Sequence, residues 1–272
     1  MRRIVEKLPQ YDFVYLGDCA RLPYGTRSAQ TVYEFTKQGV EFLFRRGCKL
    51  VILACNTASA QALRKIQKGF LPKHYLNNRV LGMVVPTLEA VGEQKLDTPL
   101  FHGREKEEYQ FGRSPHVIKR LGVIGTSGTI NSKVYPTELA KIRKSLKVFQ
   151  QPTPLLVPLI EQQAERYLPA ILKDYLRPLQ NKKIDGLVLG CTHYPIIKKQ
   201  IKKILGAEVR VFSQDEIIPE KLSDYLRRHT EIEKKLSHNR RREFFVTDLT
   251  PVYQKLAFQW FGEKARLRKI KI

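Results

Sequence analysis

Acidic residues, cysteines and long apolar runs are all scarce in this chain of 272 residues, and each scarcity excludes something. The four cysteines, at positions 19, 48, 55 and 191, have no C-x-x-C spacing and none of the density of a secreted disulfide scaffold. They read as reduced thiols. No apolar run is long enough to cross a bilayer, and no basic start leads into an apolar stretch with a small-residue cleavage site. The expectation is a soluble, cytoplasmic protein with no membrane partner. Low-complexity segments are absent and 42% of residues are hydrophobic, which argues for a folded chain over a disordered one.

The deficit of acid is large: 49 Lys and Arg stand against 26 Asp and Glu, a net charge of +23. Such an excess attracts nucleic acid, anionic lipid or acidic metabolites. Its distribution argues against one dedicated patch. Arg45-Arg46, Lys182-Lys183, Lys198-Lys199, Lys202-Lys203, Arg227-Arg228 and the tail from Lys264 to Lys271 are scattered over helices and ends. A solvated surface is the favoured reading, and nucleic acid is a disfavoured partner that the charge alone leaves open.

What is present is an alternation of strand-like and helical stretches. Apolar β-formers occur at Phe13–Leu16, Leu50–Leu53, Val80–Val85, Leu121–Ile124, Leu187–Leu189 and Val209–Phe212. Helical periodicity lies between them, at Thr31–Phe44, Ser59–Lys68, Tyr135–Leu146, Ile160–Leu172, Ile196–Ile204 and Pro219–Arg228. This pattern predicts an α/β fold with mainly parallel sheets flanked by helices. The length suits two domains. A polar segment, Glu93 to Pro115, reads as a surface insertion near a boundary. The expected division is a first domain of residues 1–116 and 211–272 and a second of 117–210, with a short strand at Phe244–Val246 and a terminal helix at Val252–Phe261 packing back on the first.

Chemistry concentrates where strands end. Leu50–Leu53 runs into Ala54-Cys55-Asn56-Thr57, and Leu187–Leu189 runs into Gly190-Cys191-Thr192-His193. A buried parallel strand that ends in a thiol beside amide, hydroxyl and imidazole groups places a reactive cysteine where open α/β sheets bind ligands. Free amides at a following helix start favour thiolate at Cys55, and His193 is placed to orient or activate Cys191. Gly125-Thr126-Ser127-Gly128-Thr129 lacks the ending of a P-loop and suits carboxylate binding through Thr126 and Thr129, or a plain tight turn. Gly17-Asp18-Cys19 ends another strand, where Cys19 lines the site without reacting. Cys48 reads as a buried structural thiol. Zinc held by Cys55, Cys191 and His193 is disfavoured for want of paired ligand spacing. A Cys-His hydrolase leaves the second thiol without a role.

Five stretches together resemble the glutamate racemases of the aspartate/glutamate racemase superfamily: GDCARLPYG at 17–25, ACNTAS at 54–59, GVIGTSGTI at 122–130, PLLVPLIE at 154–161 and GCTHYP at 190–195. They fall in the family order and cover nearly the whole chain. The last is the most discriminating, because aspartate-specific relatives typically carry Glu where this chain has His193. The resemblance implies two similar α/β domains with the active site in the cleft between them. It implies racemisation without a cofactor or metal, with Cys55 and Cys191 on opposite faces of the glutamate Cα, Cys55 serving the D enantiomer and Cys191 the L. Glu161 and His193 correspond to groups that assist the cysteines. Tyr24, Gly25, Asn56, Thr57, Thr192 and His193 correspond to substrate-binding positions. The implied role is supply of D-glutamate for peptidoglycan, and pairing of two copies stays open.

One departure stands out. The family opens with a strand and an Asp-Ser-Gly-x-Gly-Gly turn, whereas residues 1–8 here match the helix that follows it. The chain as given is therefore expected to be weak or inactive. Two rival readings follow: an inactive homologue acting as a basic binding protein, and a racemase or decarboxylase of another small carboxylate.

Overall fold

The computed structural model describes residues 1–92, 118–262 and 265–272. Strand β4 (Arg120–Gly125) lies in a four-stranded parallel sheet with β5 (Lys147–Pro152), β6 (Gly186–Gly190) and β7 (Arg210–Phe212), in the order β5-β4-β6-β7. β6 is buried at all five positions and β4 from Leu121 onward, as befits central strands covered on both faces. The chain leaves β4 toward β5 on one side, yet β6 lies on the other. That reversal is a topological switch point, and it opens a crevice beyond Gly125 and Gly190, which are paired in register.

The helix Leu168–Asn181 shows why the sheet is covered. Leu168, Leu172, Leu176 and Leu179 recur at helical spacing on one face, and all four are buried against Ile124, Leu187, Leu189 and Tyr194. The opposite face of the sheet meets Val84 and Leu88 of the helix Val84–Gly92, together with Tyr135 and Leu139 of the helix Val134–Ile142.

The other domain holds five parallel strands in two groups. β1 (Phe13–Gly17) pairs with β8 (Arg242–Val246), which pairs with β9 (Leu267–Lys269); β2 (Leu50–Leu53) pairs with β3 (Arg79–Gly82). Among the described residues no ladder joins β1 to β2. Apolar packing spans the interval instead, with Phe13, Leu50, Ile52 and Leu81 against Leu8, Tyr11, Leu222 and Leu226. The helix Ala29–Arg45 starts at Ser28, whose hydroxyl accepts the Thr31 amide, and buries Val32, Thr36, Val40 and Phe44. Helix Gln214–Arg228 follows β7 and returns the chain to this domain, packing on helices Arg2–Lys7 and Val84–Gly92.

Several sequence expectations need correction. The apolar run 80–85 is a strand only to Gly82, after which Val84 begins a helix, because burial of β-branched residues serves either structure. The helix expected over Ser59–Lys68 begins earlier, at Asn56 directly after Cys55, and after a break at Ala62 helical structure continues, with a π-helical stretch at Ile66–Phe70, to His74. The periodic stretch 160–172 splits into Leu156–Glu161, a 3₁₀ turn at Glu165–Tyr167 and Leu168–Asn181. β5 and β9 lack apolar runs and escaped notice. The edge position of β5 explains its polar Gln150 and Gln151, and its terminal Pro152. The insertion read at Glu93 to Pro115 lies outside the described residues.

Truncating Leu172, which has no exposed surface at the centre of the helix-sheet core, should destabilise the protein by about 2–5 kcal/mol. Urea unfolding of Leu172→Ala measures this. A loss within error would mean that this face is not a tight core.

Candidate active site

The two domains meet through their strand-end turns. Thr126 caps the helix Ser127–Asn131, its hydroxyl accepting the Thr129 amide at 3.3 Å. Thr57, from the turn after β2, reaches across with its own hydroxyl 2.8 Å from that of Thr126 and 3.2 Å from that of Thr129. Gln61 adds a 3.0 Å bond from its Nε2 to the Gly128 carbonyl. Two glycines permit the approach. A Cβ on Gly25 would stand 2.7 Å from the Thr126 Cβ, and one on Gly128 would stand 2.9 Å from the Gly25 carbonyl oxygen.

Cys191 emerges from β6 buried, with its Sγ 3.7 Å from His193 Nδ1. The other ring nitrogen, Nε2, lies 3.1 Å from Glu161 Oε1 at the end of the helix Leu156–Glu161. Burial opposes a charged imidazole, but the hydrogen bonds to Cys191 and Glu161 outweigh it and raise the His193 pKa to about 10. The imidazolium form is thus favoured at neutral pH. Trp260, on the helix Pro251–Phe261, packs edge-on against this ring with centroids 5.6 Å apart. Sequence reasoning missed Trp260, since a lone tryptophan in a terminal helix carries no local signal of a site.

Cys55 is the N-cap of the helix Asn56–Gln61 and is exposed. Desolvation by its dense surroundings and charge on Cys191 push its thiol pKa up overall, against hydrogen bonds from Ala58 and Thr57 that pull it down, so the thiolate expected from the helix start is not favoured on balance. The two thiols therefore sense each other.

Asn56 and Thr57 are buried beside Cys55. Tyr24 donates its hydroxyl to Asp18, and that carboxylate also accepts from Arg21 Nε at 2.7 Å and from Thr247 Oγ1 at 2.8 Å. Burial and the Asp18 charge push the Tyr24 phenol well above its ordinary range. Asp18 was given no role from sequence, although it stands at a strand end beside Cys19. Thr192 is exposed. Cys19 is held at about 11, by burial first and then by Asp18, Glu161 and Asp248, so it stays a neutral thiol. Cys48 is also raised, mainly by burial, and packs against the β2-β3 core. Among the described residues no group of three His, Cys, Asp or Glu side chains gathers as a metal site.

Two α/β domains meeting at cysteine-bearing strand ends place this chain with one family of amino-acid racemases, a class of isomerases. The chain belongs to the Asp/Glu/Hydantoin racemase family, whose description matches residues 1–214. It is 38% identical to a glutamate racemase of Roseobacter denitrificans over 225 residues, 82% of this chain and 78% of that protein. A glutamate racemase of Phenylobacterium zucineum is 37% identical over 267 residues, 95% of this chain and 90% of that one. Among solved structures, a glutamate racemase isoform of Bacillus anthracis superposes with a TM-score of 0.81 at 30% identity, covering 99% of this chain and 91% of that one. The glutamate racemase of Francisella tularensis, solved with D-glutamate, matches with the same TM-score and coverage at 28% identity.

The His193 pair has a defined pH signature. An imidazole that titrates at 6.5 when unfolded and near 10 when folded contributes its full stabilisation below about pH 6.5 and loses it as pH rises through about 10. The gap in thermal stability between the unmodified chain and His193→Asn should therefore be widest in mild acid and should close by about pH 10. A gap that stays constant across that range would show that His193 is not held as a cation.

Proposed function

We propose that this protein interconverts L- and D-glutamate by proton transfer between two cysteines, and that its D-glutamate serves peptidoglycan synthesis. The observation that carries the reading is the pairing of Cys55 and Cys191. They lie at strand ends in different domains, are coupled electrostatically and sit in contrasting polar settings. The names of the relatives and the D-glutamate held by the Francisella protein support glutamate as substrate.

The chemistry asks for a base on one face of a weakly acidic carbon and an acid on the other. One thiolate takes the Cα proton and becomes a thiol; the opposite thiol delivers its proton to the other face and becomes a thiolate. Each turnover leaves the pair reversed. Thr57 and Ala58 amides oppose the upward shift at Cys55, and the His193 imidazolium, held by Glu161, stands 3.7 Å from the Cys191 sulfur. The hydroxyls of Thr57, Thr126 and Thr129 bond one another at the domain junction, and of the three only Thr126 keeps exposed surface to offer a carboxylate.

Circular dichroism of reactions started from each glutamate enantiomer tests the proposal. Cys55→Ser and Cys191→Ser should each reduce racemisation by about 10²–10⁴-fold. An unchanged rate in either variant would refute the two-thiol mechanism. Running aspartate alongside tests the substrate, with glutamate expected to turn over faster by at least about tenfold, the effect of roughly 1.4 kcal/mol. Faster aspartate turnover would move the assignment to another small amino acid.

A further inference from the structure

A second feature joins the two thiols through side chains that the proton transfer itself does not use. Asn56 follows Cys55, and its carboxamide is clamped at both ends. Its Nδ2 donates to Gln214 Oε1 at 2.7 Å, while its Oδ1 accepts from Gln214 Nε2 at 2.9 Å and from the Tyr135 hydroxyl at 2.9 Å. The remaining Gln214 N–H reaches Thr87 Oγ1 at 3.2 Å, and Thr87 passes its own proton to the Met83 carbonyl at 2.7 Å. All four side chains are buried, between 0% and 3% exposed.

These groups come from every part of the chain that meets at the cleft. Asn56 belongs to the domain of Cys55, and Thr87 to the helix Val84–Gly92, which packs between the four-stranded sheet and the helix Gln214–Arg228. Tyr135 lies on the helix Val134–Ile142, which covers the four-stranded sheet carrying Cys191. Gln214 opens the helix by which the chain returns from β7 to the first domain. On its other side Tyr135 bears on the residue before Cys191, since a Cβ on Gly190 would stand 3.3 Å from the phenol oxygen and 3.5 Å from the ring. One phenol thus touches both the neighbour of Cys55 and the neighbour of Cys191. We propose that Tyr135 and Gln214 are positioning residues that set the spacing between Cys55 and Cys191 by clamping Asn56 across the domain junction.

The physical case rests on direction. An apolar wall of Val84, Leu88, Val188 and Phe212 surrounds Tyr135 and would press the domains together with little preference for register. The reciprocal amide pair and the phenol accept one geometry, because sliding leaves buried donors and acceptors unpaired at about 1–3 kcal/mol each. Burial, followed by charge on Cys191, pushes the Tyr135 pKa up, so the phenol stays protonated as the donor that Asn56 requires. Opposed acid-base catalysis on one carbon needs such a constraint, because a displacement near 1 Å reduces rate by about 10²-fold.

The proposal rests on the two-thiol reading, and two measurements keep them separate. The first compares the unmodified chain with Tyr135→Phe and Gln214→Met in D₂O, following inversion by circular dichroism and Cα deuteration of recovered substrate by mass spectrometry. With spacing lost, the abstracting thiol still returns a solvent deuteron to the same face, so exchange should persist while inversion falls by about 10–10²-fold. The ratio of exchange to inversion should rise at least several-fold. Mere loss of folded protein lowers both together, and an unchanged ratio overturns the proposal.

The second measurement needs no turnover. The pH dependence of Cys55 alkylation by iodoacetamide is compared with and without Cys191→Ser. The substitution should lower the Cys55 midpoint in the unmodified background, and this shift should shrink in Gln214→Met and Tyr135→Phe. An equal shift in all three backgrounds overturns the positioning role. A shrunken shift in a chain that does not racemise glutamate would uphold it and defeat the functional reading instead.

Discussion

The 2.8 Å contact between the hydroxyls of Thr57 and Thr126 joins a turn of one domain to a turn of the other, and the cleft is organised around it. Thr126 directly follows β4 and Thr57 lies in the first turn of the helix after β2, so the bond ties the carboxyl ends of β2 and β4 to each other. The approach is close enough that Gly25 and Gly128 have no room for a side chain. Backbone amides, hydroxyls and thiols, which have little reach, can then serve one small substrate. A wider gap would call for long charged side chains, with more freedom to lose on binding.

The two thiols sit in different settings. Cys55 meets helix-start amides whose effect desolvation outweighs, while Cys191 lies beside an imidazolium that Glu161 holds in charge. Charge on one thiol disfavours charge on the other. This coupling suits a pair in which one member is a base while its partner is an acid. Asp18 belongs to a supporting layer, drawing Tyr24, Arg21 and Thr247 together beneath the loop that carries Gly25. Of the basic residues, Arg21 takes part in this layer through Asp18, while Lys182, Lys183, Lys199 and Lys202 are exposed on helices and turns.

Legibility from sequence followed burial. β4 and β6 read plainly because strands covered on both faces must be continuously apolar, and their ends then mark the site. β5 did not, because an edge strand tolerates Gln150, Gln151 and Pro152. The start of a helix at Val84 rather than a longer strand was hidden for a related reason. A short apolar stretch fits either geometry, and only its neighbours decide.

Residue chemistry at strand ends was therefore determined by the sequence alone: two thiols, their amide, hydroxyl and imidazole neighbours, and the parallel sheets that carry them. Tertiary structure decided which groups face which. That His193 meets Glu161 and that Asn56 is clamped by Tyr135 and Gln214 are contacts between segments far apart in the chain. Local pattern reports periodicity and propensity over a few turns. The partners of a buried polar group are set by how whole domains dock, where each donor must find an acceptor that water no longer supplies.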